Sequence, residues 1–194
     1  MWQRHMAVAE NVYIAETSSF VTERRKQIQI DYGGIPGDLH FGLTKTAGAR
    51  EPMYKKGTEI FNRRQISIVS VEECLEIAEK LKIPAVLPEW LGANLALSGL
   101  PQLTSLREGS RLVFPSGASL LSEGENEPCS QPGEVIQNQF PDQSKLASRF
   151  VRHAFGKRGI VCVVERPGSI SQGDLVEVWS YTPNVVKDTR FGAV

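Results

Sequence analysis

Short runs of β-branched and aromatic residues recur along this chain, each bounded within a few residues by Gly, Pro or Asp. Such runs are typical of strands, and the clearest are Gln27 to Ile30, Gln65 to Val69, Arg111 to Phe114, Ile160 to Glu165 and Leu175 to Trp179. Many short strands separated by turn residues favour a closed barrel or a sandwich. The pattern therefore predicts a mainly β protein with a few helices.

Two segments depart from the strand pattern and have helical spacing. The first begins at Ser70, whose side chain can cap the amide of Glu73, and is expected to stop before Pro84. Its apolar stripe is Cys74, Leu75, Ala78 and Leu81. The second is expected to run from near Asp142 to Gly156, with Leu146, Phe150, Val151 and Ala154 facing inward. Both helices are amphipathic, so we expect them to pack on the outside of the sheet.

Nothing in the sequence divides the chain into separate units. It has no internal repeat, no low-complexity tract and no long linker. A chain of 194 residues buries roughly 70% of its surface on folding, which provides a full core without disulfides or metal. We therefore expect a single domain over residues 1–194, with its core at about 8–181 and a short C-terminal tail.

The overall charge argues against a nucleic-acid partner. The 22 Lys and Arg residues equal the 22 Asp and Glu residues in number, which is not the basic excess of a nucleic-acid-binding protein. No apolar run reaches the roughly 20 residues of a membrane helix, and the first residues lack the apolar segment of a secretion signal. We expect a cytoplasmic protein with neither membrane nor nucleic acid as a partner.

Charge is nevertheless uneven along the chain. A first basic segment has no acidic residue and contains Lys145, Arg149, Arg152, Lys157 and Arg158. A second contains Lys45, Arg50, Lys55, Lys56, Arg63 and Arg64, offset by Glu51 and Glu59. These segments are either solvated surface or the mouth of an anion-binding site, and the sequence leaves both interpretations open.

The three cysteines differ in their surroundings. Cys74 lies on the helical apolar stripe and Cys162 on an apolar strand face, so both are expected in the core. Cys129 lies in a polar segment between Pro128 and Pro132, which predicts a loop. No pair of cysteines has C-x-x-C spacing and no ligand cluster has zinc-type spacing, so zinc is not expected.

Cys129 has acidic neighbours that disfavour a reactive thiolate. Glu125 and Glu127 lie just before it in the chain, and negative charge nearby opposes ionisation of a thiol. Activation therefore needs positive charge from elsewhere, for which Lys157 and Arg158 are the first candidates and Arg149 and Arg152 the next. On spacing alone, Cys129 is either an incidental loop cysteine or a functional thiol.

Several segments, in a fixed order, carry a more specific signal. They are Gly34 to Gly42 with a G-D-x-H loop, Leu91 to Leu95 with Gly99 and Leu100, Glu108 to Leu112 with Gly117 and Ala118, Pro128 and Cys129, Gly156 to Gly159, and Pro167 to Val176. Together they resemble the MOSC domain, a module named for the C-terminal domain of molybdenum cofactor sulfurase. The resemblance extends over most of the chain.

The resemblance implies a β-barrel in which Cys129 carries sulfur as a persulfide or approaches a molybdenum centre. It implies a sulfur donor such as a cysteine desulfurase, and a molybdenum or metal-sulfur acceptor protein. No tightly bound cofactor is expected, and molybdopterin cofactor with Cys129 as molybdenum ligand is the alternative. A sulfur carrier also needs polar and cationic groups around its thiol, for which the candidates are Asp38, His40, Asn94, Arg149, Arg152, Lys157 and Arg158.

Three functions remain open at this stage. The first is sulfur transfer through Cys129, a sulfurtransferase-like activity. The second is a molybdenum-cofactor-dependent reductase of N-hydroxylated compounds, and the third is a non-catalytic barrel that binds an anion or a partner protein. An aminotransferase-like desulfurase domain does not fit in 194 residues, so we expect the sulfur to come from another protein or compound.

Overall fold

Strands make up most of the secondary structure in the computed structural model, which describes residues 1–16 and 19–182. They are β1 (Trp2–Ile14), β2 (Glu23–Arg25), β3 (Gln27–Ile30), β4 (Thr44–Thr46), β5 (Glu59–Phe61), β6 (Ile66–Ser70), β7 (Leu95–Ser98), β8 (Arg111–Val113), β9 (Ser119–Glu125), β10 (Ile160–Arg166), β11 (Gly168–Ser171) and β12 (Leu175–Tyr181). The helices are α1 (Val71–Leu81), α2 (Ser130–Gln139) and α3 (Leu146–Ala154), with short 3-10 turns at Pro88–Leu91 and Leu103–Ser105. All five strands expected from the sequence are present, with small shifts at their ends.

Seven of these strands close into a barrel. The order around it is β12, β8, β9, β10, β6, β7 and β1, and β1 then pairs with β12 to complete the ring. Neighbouring strands are antiparallel except β6 and β7, which are parallel. Closure removes the free edges of the sheet. The expected fold, a mainly β single-domain barrel with a few helices, is confirmed.

The long first strand is what closes the ring. The first part of β1 pairs with β12 from Trp2 opposite Tyr181 to Val8 opposite Leu175, and its second part pairs with β7. An irregularity between Ala9 and Asn11 shifts the register at the changeover, which is how a strand bends to reach two partners. The strand thus begins before the core boundary expected near residue 8. The expected C-terminal tail lies outside the described residues from position 183 onward.

Alternating side chains divide the core into two clusters. One cluster lies inside the barrel and includes Ile66, Ile68 and Cys162, all fully buried. The other lies between the barrel and the helices and includes Val69, Cys74 and residues of all three helices. Both cysteines expected in the core are therefore there. Within the described residues, no helix is long and apolar enough to span a membrane.

The two helices expected from the sequence are present. The Ser70 hydroxyl accepts a hydrogen bond from the Glu73 amide at 3.3 Å and caps α1, which ends at Lys82 in a left-handed conformation. The second expected helix begins at Leu146, later than the expected start near Asp142, because Lys145 has a φ of 61° and cannot continue a right-handed helix. Its expected inward face is buried, apart from Val151, which is half-buried.

The prediction of a loop around Cys129 is wrong on its C-terminal side, because α2 begins at the next residue, Ser130. Pro132 lies in the first turn, where a missing backbone N–H costs nothing. Gly133 allows α2 to lie directly against α3, since a Cβ there would be 2.6 Å from the Ala147 carbonyl oxygen. Residues that suggested a turn in the sequence are therefore used to start a helix and to pack it closely.

Candidate functional site

Cys129 opens onto a cavity of about 210 Å³ at the start of α2. The cavity is formed by residues far apart in the chain, and those lining it are Phe20, His40, Arg50, Arg64, Ser67, Gly92, Asn94, Asn126, Cys129, Gln131, Arg158 and Val161. Three of these side chains are arginines, and no carboxylate is among the described lining residues. The cavity is therefore strongly cationic around a single thiol.

The position of Cys129 in the fold favours an anionic sulfur. Cys129 is the residue that precedes α2, its backbone is extended, and its side chain makes no capping hydrogen bond. The thiol is half-buried. Backbone N–H groups in the first turn of a helix lack intrahelical acceptors, and the positive end of the helix dipole stabilises a thiolate placed there.

Arg158 is a buried cation without an acidic partner in the part of the chain that the structure describes. Only 4% of the residue is exposed, and its guanidinium donates to the Leu91 carbonyl oxygen at 2.6 Å and to the Ser67 hydroxyl at 3.5 Å. Both acceptors are neutral, and no carboxylate in the described part of the chain pairs with it. Burial lowers the pKa of Arg158 to about 10, although negative charge on Cys129 opposes this shift. Arg158 is thus charged at neutral pH and faces the cavity unneutralised.

A close backbone contact positions Arg158. The next residue, Gly159, has a φ of 97°, and a Cβ there would be 2.0 Å from the Ile68 carbonyl oxygen. The Gly159 N–H donates to the Thr104 hydroxyl at 2.8 Å, and its carbonyl oxygen accepts from the Asn126 N–H at 2.8 Å. Only glycine fits this conformation and this approach. The backbone just before β10 therefore lies directly against β6, and this contact fixes the position of Arg158.

Arg64 supplies a second cation that has no carboxylate partner among the described residues. Its guanidinium donates to the Asn126 side-chain oxygen. Burial lowers the pKa of Arg64, and the nearby Arg50 lowers it further, while Glu51, Cys129 and Glu127 act in the opposite direction. Arg64 and Arg158 thus reach the same cavity from different connecting segments, one before β6 and the other before β10.

Arg50 neutralises one of the acids expected to suppress the thiolate. Its guanidinium donates to the Glu127 carbonyl oxygen at 3.1 Å and lies 3.8 Å from the Glu127 carboxylate. Glu125 is also engaged, because its carboxylate accepts from the Gly156 N–H at 2.8 Å. The acidic residues near Cys129 therefore have their own partners, and neither lines the cavity.

A buried carboxylate, that of Asp38, positions the part of the cavity wall formed by His40 and Asn94. The Asp38 side chain accepts hydrogen bonds from the Ala15 N–H at 2.8 Å, the His40 N–H at 2.8 Å and the Asn94 amide at 3.0 Å. Its Oδ1 is also 3.3 Å from His40 Nδ1. Burial alone raises the pKa of Asp38, but the hydrogen bonds from His40 and Ala15 bring it below its usual value. Asp38 is therefore an ionised positioning residue behind the cavity.

The structure brings together some of the residues predicted from the sequence. Cys129, His40, Asn94 and Arg158 line the cavity, and Asp38 lies behind it. Asn94 donates to Asp38 and accepts from the Ser67 N–H at 3.0 Å, so its side chain is occupied in holding the wall. The exposed part of the His40 ring remains available to a ligand.

The other predicted cations lie elsewhere. Arg149 donates to the Leu81 carbonyl oxygen at 2.7 Å and ties α3 to the end of α1. Lys157 pairs with Glu76, and Arg152 is exposed on α3. None of these side chains lines the cavity. The structure places Arg50 and Arg64 there instead. They come from the second basic segment, which the sequence left open as either solvated surface or an anion-binding mouth.

Metal-ligand geometry is absent from the part of the chain that the structure describes. No group of three or more His, Cys, Asp or Glu side chains is placed to hold a metal ion there. The chemistry available at the cavity is therefore that of one thiol, one histidine and three guanidinium groups.

Comparison with known proteins gives the chain a family. The MOSC domain matches residues 36–177. A protein of Bacillus subtilis (strain 168), named "Putative metal-sulfur cluster biosynthesis proteins YuaD", is 69% identical over 185 residues, which cover 95% of this chain and 96% of that protein. A crystal structure of YuaD from Bacillus subtilis superposes with a TM-score of 0.93 at 70% identity, covering 94% of this chain and 100% of YuaD.

More distant structures share the fold alone. The crystal structure of YiiM from Escherichia coli has a TM-score of 0.58 at 18% identity and covers 94% of this chain and 72% of YiiM. YiiM from Geobacillus stearothermophilus has a TM-score of 0.59 at 14% identity, over 89% of this chain and 74% of that protein. The match to the MOSC domain across most of the sequence, together with the barrel, shows that this chain belongs to the MOSC domain family.

Proposed function

We propose that this protein is a sulfur carrier in which Cys129 accepts sulfur as a persulfide and passes it to a metal-sulfur or molybdenum cofactor acceptor. One observation carries the proposal: the half-buried Cys129 thiol opens onto the same cavity as the buried Arg158, which has no carboxylate partner among the described residues. The name of the similar YuaD protein, which refers to metal-sulfur cluster biosynthesis, supports the same class of function.

The electrostatics of the cavity suit a sulfur anion. A buried cation without a counter-ion is costly, because a low-dielectric surrounding penalises isolated charge. A thiolate or persulfide anion on Cys129 supplies the missing negative charge opposite Arg158 and Arg64. The start of α2 adds a further favourable contribution, since a negative charge at a helix N-terminus is stabilised by about 0.3–1 kcal/mol.

Sulfur transfer through such a site needs no external oxidant or reductant. The Cys129 thiolate attacks the terminal sulfur of a donor persulfide, a new sulfur–sulfur bond forms, and the donor leaves as a thiolate. In the second step an acceptor thiolate attacks the terminal sulfur of the Cys129 persulfide, and Cys129 leaves as a thiolate. Each step makes one sulfur–sulfur bond and breaks one.

The donor and the compartment follow from the same chemistry. The donor is a cysteine desulfurase, which presents a persulfide, or another sulfur compound, and the acceptor is a protein that builds a metal-sulfur or molybdenum centre. The three cysteines are free in the structure, as thiols are in the reducing cytoplasm. We therefore place the carrier in the cytoplasm.

The cavity fits a resident molybdopterin cofactor poorly. Its volume of about 210 Å³ is below the roughly 300–1,000 Å³ of sites that enclose an organic cofactor. Phe20 and His40 are the two aromatic rings among its described lining residues, which offer little surface for a pterin ring system. A reductase that holds this cofactor permanently is therefore disfavoured, and we propose that molybdenum belongs to the acceptor.

The proposal is tested by loading the reduced protein with sulfur and locating it. The protein is incubated with a cysteine desulfurase and cysteine, then examined by mass spectrometry for one added sulfur atom on each cysteine. We expect the sulfur on Cys129 alone and no loading of Cys129→Ser. Cys74→Ser is the matched control, because Cys74 lies on the buried face of α1 and its loss should leave loading unchanged.

Two results would contradict the carrier function. If Cys129→Ser is loaded as fully as the unaltered protein, the thiol is not the acceptor. If no cysteine is loaded while sulfate or phosphate binds in the cavity, the protein is an anion-binding barrel without sulfur-transfer chemistry.

A further inference from the structure

We infer that the cavity binds thiosulfate, and that Cys129 takes its sulfur from this small dianion. The inference rests on the proposed function, because it names the donor for the same thiol. Three features carry it: the charge of the cavity, the unused hydrogen-bond donors of Arg158, and the small volume in front of Cys129.

The charge of the cavity exceeds what a single thiolate neutralises. Arg50, Arg64 and Arg158 line it, and no carboxylate is among the described lining residues. Arg50 alone has an acidic partner, and that pair is loose, at 3.8 Å from the Glu127 carboxylate. With Cys129 ionised, Arg64 and Arg158 still leave a net positive charge in the cavity, which suits a small anion.

Arg158 offers hydrogen-bond donors that nothing in the described structure uses. A guanidinium has five N–H groups, and Arg158 makes hydrogen bonds only to the Leu91 carbonyl oxygen and the Ser67 hydroxyl. The planar fork of the remaining donors matches the oxygens of a tetrahedral oxyanion. Because the residue is 4% exposed, water meets these donors only through the cavity.

The dimensions of the cavity suit a small donor. A volume of about 210 Å³ is ample for a five-atom oxyanion, since about 10–15 Å³ of such volume already holds one water molecule. The Phe20 ring packs tightly against Gly92 in the cavity wall, where a Cβ on Gly92 would be 2.9 Å from the ring. The cavity therefore does not extend between these two residues.

The transfer from thiosulfate is balanced. The Cys129 thiolate attacks the outer sulfur of thiosulfate, and the bond between that sulfur and the sulfonate sulfur breaks. The electron pair of this bond leaves on sulfite, and Cys129 is left as a persulfide. Arg64 and Arg158 stabilise the oxygens on which the charge of the leaving sulfite develops.

The test measures sulfite release and Cys129 persulfide together. Reduced protein is mixed with increasing concentrations of thiosulfate, and the same preparation is separately fed with a cysteine desulfurase and cysteine. We expect one sulfite for each Cys129 persulfide, with saturation in thiosulfate. Arg64→Gln should raise the half-saturating thiosulfate concentration at least about tenfold, which corresponds to the loss of roughly 1.4 kcal/mol of binding.

The controls separate the failure of this inference from the failure of the carrier function. Arg107→Gln is the matched control, since Arg107 is exposed and lines a different surface cleft; it should leave saturation unchanged. If the desulfurase loads Cys129 but thiosulfate releases no sulfite, the donor is a protein persulfide and the thiosulfate inference is wrong, while the carrier function stands. If neither source loads Cys129, both are wrong.

Arg158→Lys keeps the positive charge but removes the planar guanidinium group. Circular dichroism checks that this variant is folded. If Arg64→Gln and Arg158→Lys both saturate at the same thiosulfate concentration as the unaltered protein, thiosulfate does not bind between these arginines, and the inference is overturned.

Discussion

Arg158 and Cys129 line the same cavity, although one lies just before the strand β10 and the other just before the helix α2. The guanidinium is buried and has no carboxylate partner in the described residues, whereas the thiol is half-buried and makes no capping hydrogen bond. An ionised Cys129 can supply the negative charge that Arg158 lacks, and Arg158 can supply the hydrogen-bond donor that Cys129 lacks. This relationship makes the reactivity of Cys129 dependent on a residue that is distant in sequence.

Replacing Arg158 should slow the reaction of Cys129. We expect Arg158→Gln to reduce the alkylation rate at pH 7 by roughly tenfold, because loss of one nearby cation changes the thiolate free energy by about 1.4 kcal/mol. Arg158→Lys keeps the charge and should reduce the rate less. The measurement is the rate of iodoacetamide alkylation across pH. Arg107→Gln, at an exposed position, should react like the unaltered protein, and superimposable curves for the Arg158 variants would remove Arg158 from thiol activation.

The three cysteines should differ sharply in accessibility. Burial raises the pKa of Cys74 to about 12 and raises that of Cys162 still further, and both side chains are packed in the core. Labelling of the native protein should therefore modify Cys129 alone, with the other two reacting only in denaturant. Peptide mass spectrometry after timed labelling checks this, and early modification of Cys162 would show that the barrel interior opens.

The barrel and two of its helices could be predicted because local rules govern them. Ser70 caps α1 as its side chain indicates, and the alternation around Cys162 places that residue inside the barrel. The helix after Cys129 could not be predicted, because Pro132 and Gly133 are common in turns. Their use at a helix start and at a helix–helix contact depends on α3, which is distant tertiary context.

The candidate site was predictable only in part, for the same reason. His40, Asn94 and Cys129 lie in segments that resemble the MOSC family, so the sequence indicates them individually. Arg50 and Arg64 lie in a basic segment whose local pattern is equally typical of solvated surface. Their convergence on Cys129 depends on strand pairing across the whole barrel.

Gly159 should be required for both stability and thiol chemistry. Gly159→Ala places a Cβ 2.0 Å from the Ile68 carbonyl oxygen at a φ of 97°, so β10 must move away from β6. We expect a loss of about 3 kcal/mol or more in the free energy of unfolding, at the severe end of single substitutions, together with slower Cys129 alkylation. Urea unfolding and alkylation check the two effects. Gly37→Ala is the matched control, since a Cβ at Gly37, with a φ of 88°, meets no atom within 4 Å.

If Gly159→Ala is no less stable than Gly37→Ala, the cost comes from the left-handed conformation alone. The close approach of β10 to β6 would then have no energetic role. A stable Gly159→Ala protein with unchanged alkylation would also show that Arg158 does not depend on this contact for its position.

The buried Asp38 carboxylate should make stability depend on pH. Its hydrogen bonds keep the pKa of Asp38 below its ordinary value in the folded state, so the folded state favours the ionised form. This stabilisation is complete above the unfolded pKa of about 3.9 and is lost as the pH falls through the lower, folded value. Asp38→Asn should cost about 1–3 kcal/mol at pH 7, and the difference from the unaltered protein should narrow below about pH 4.

The measurement for Asp38 is urea unfolding of both proteins between pH 7 and the acid limit of folding. Asp31→Asn is the control, because Asp31 is exposed and its side chain accepts from the adjacent Tyr32 N–H. A constant difference between Asp38→Asn and the unaltered protein at all pH values would mean that the carboxylate contributes through shape and not through its charge. The wall that holds His40 and Asn94 would then not depend on ionisation of Asp38.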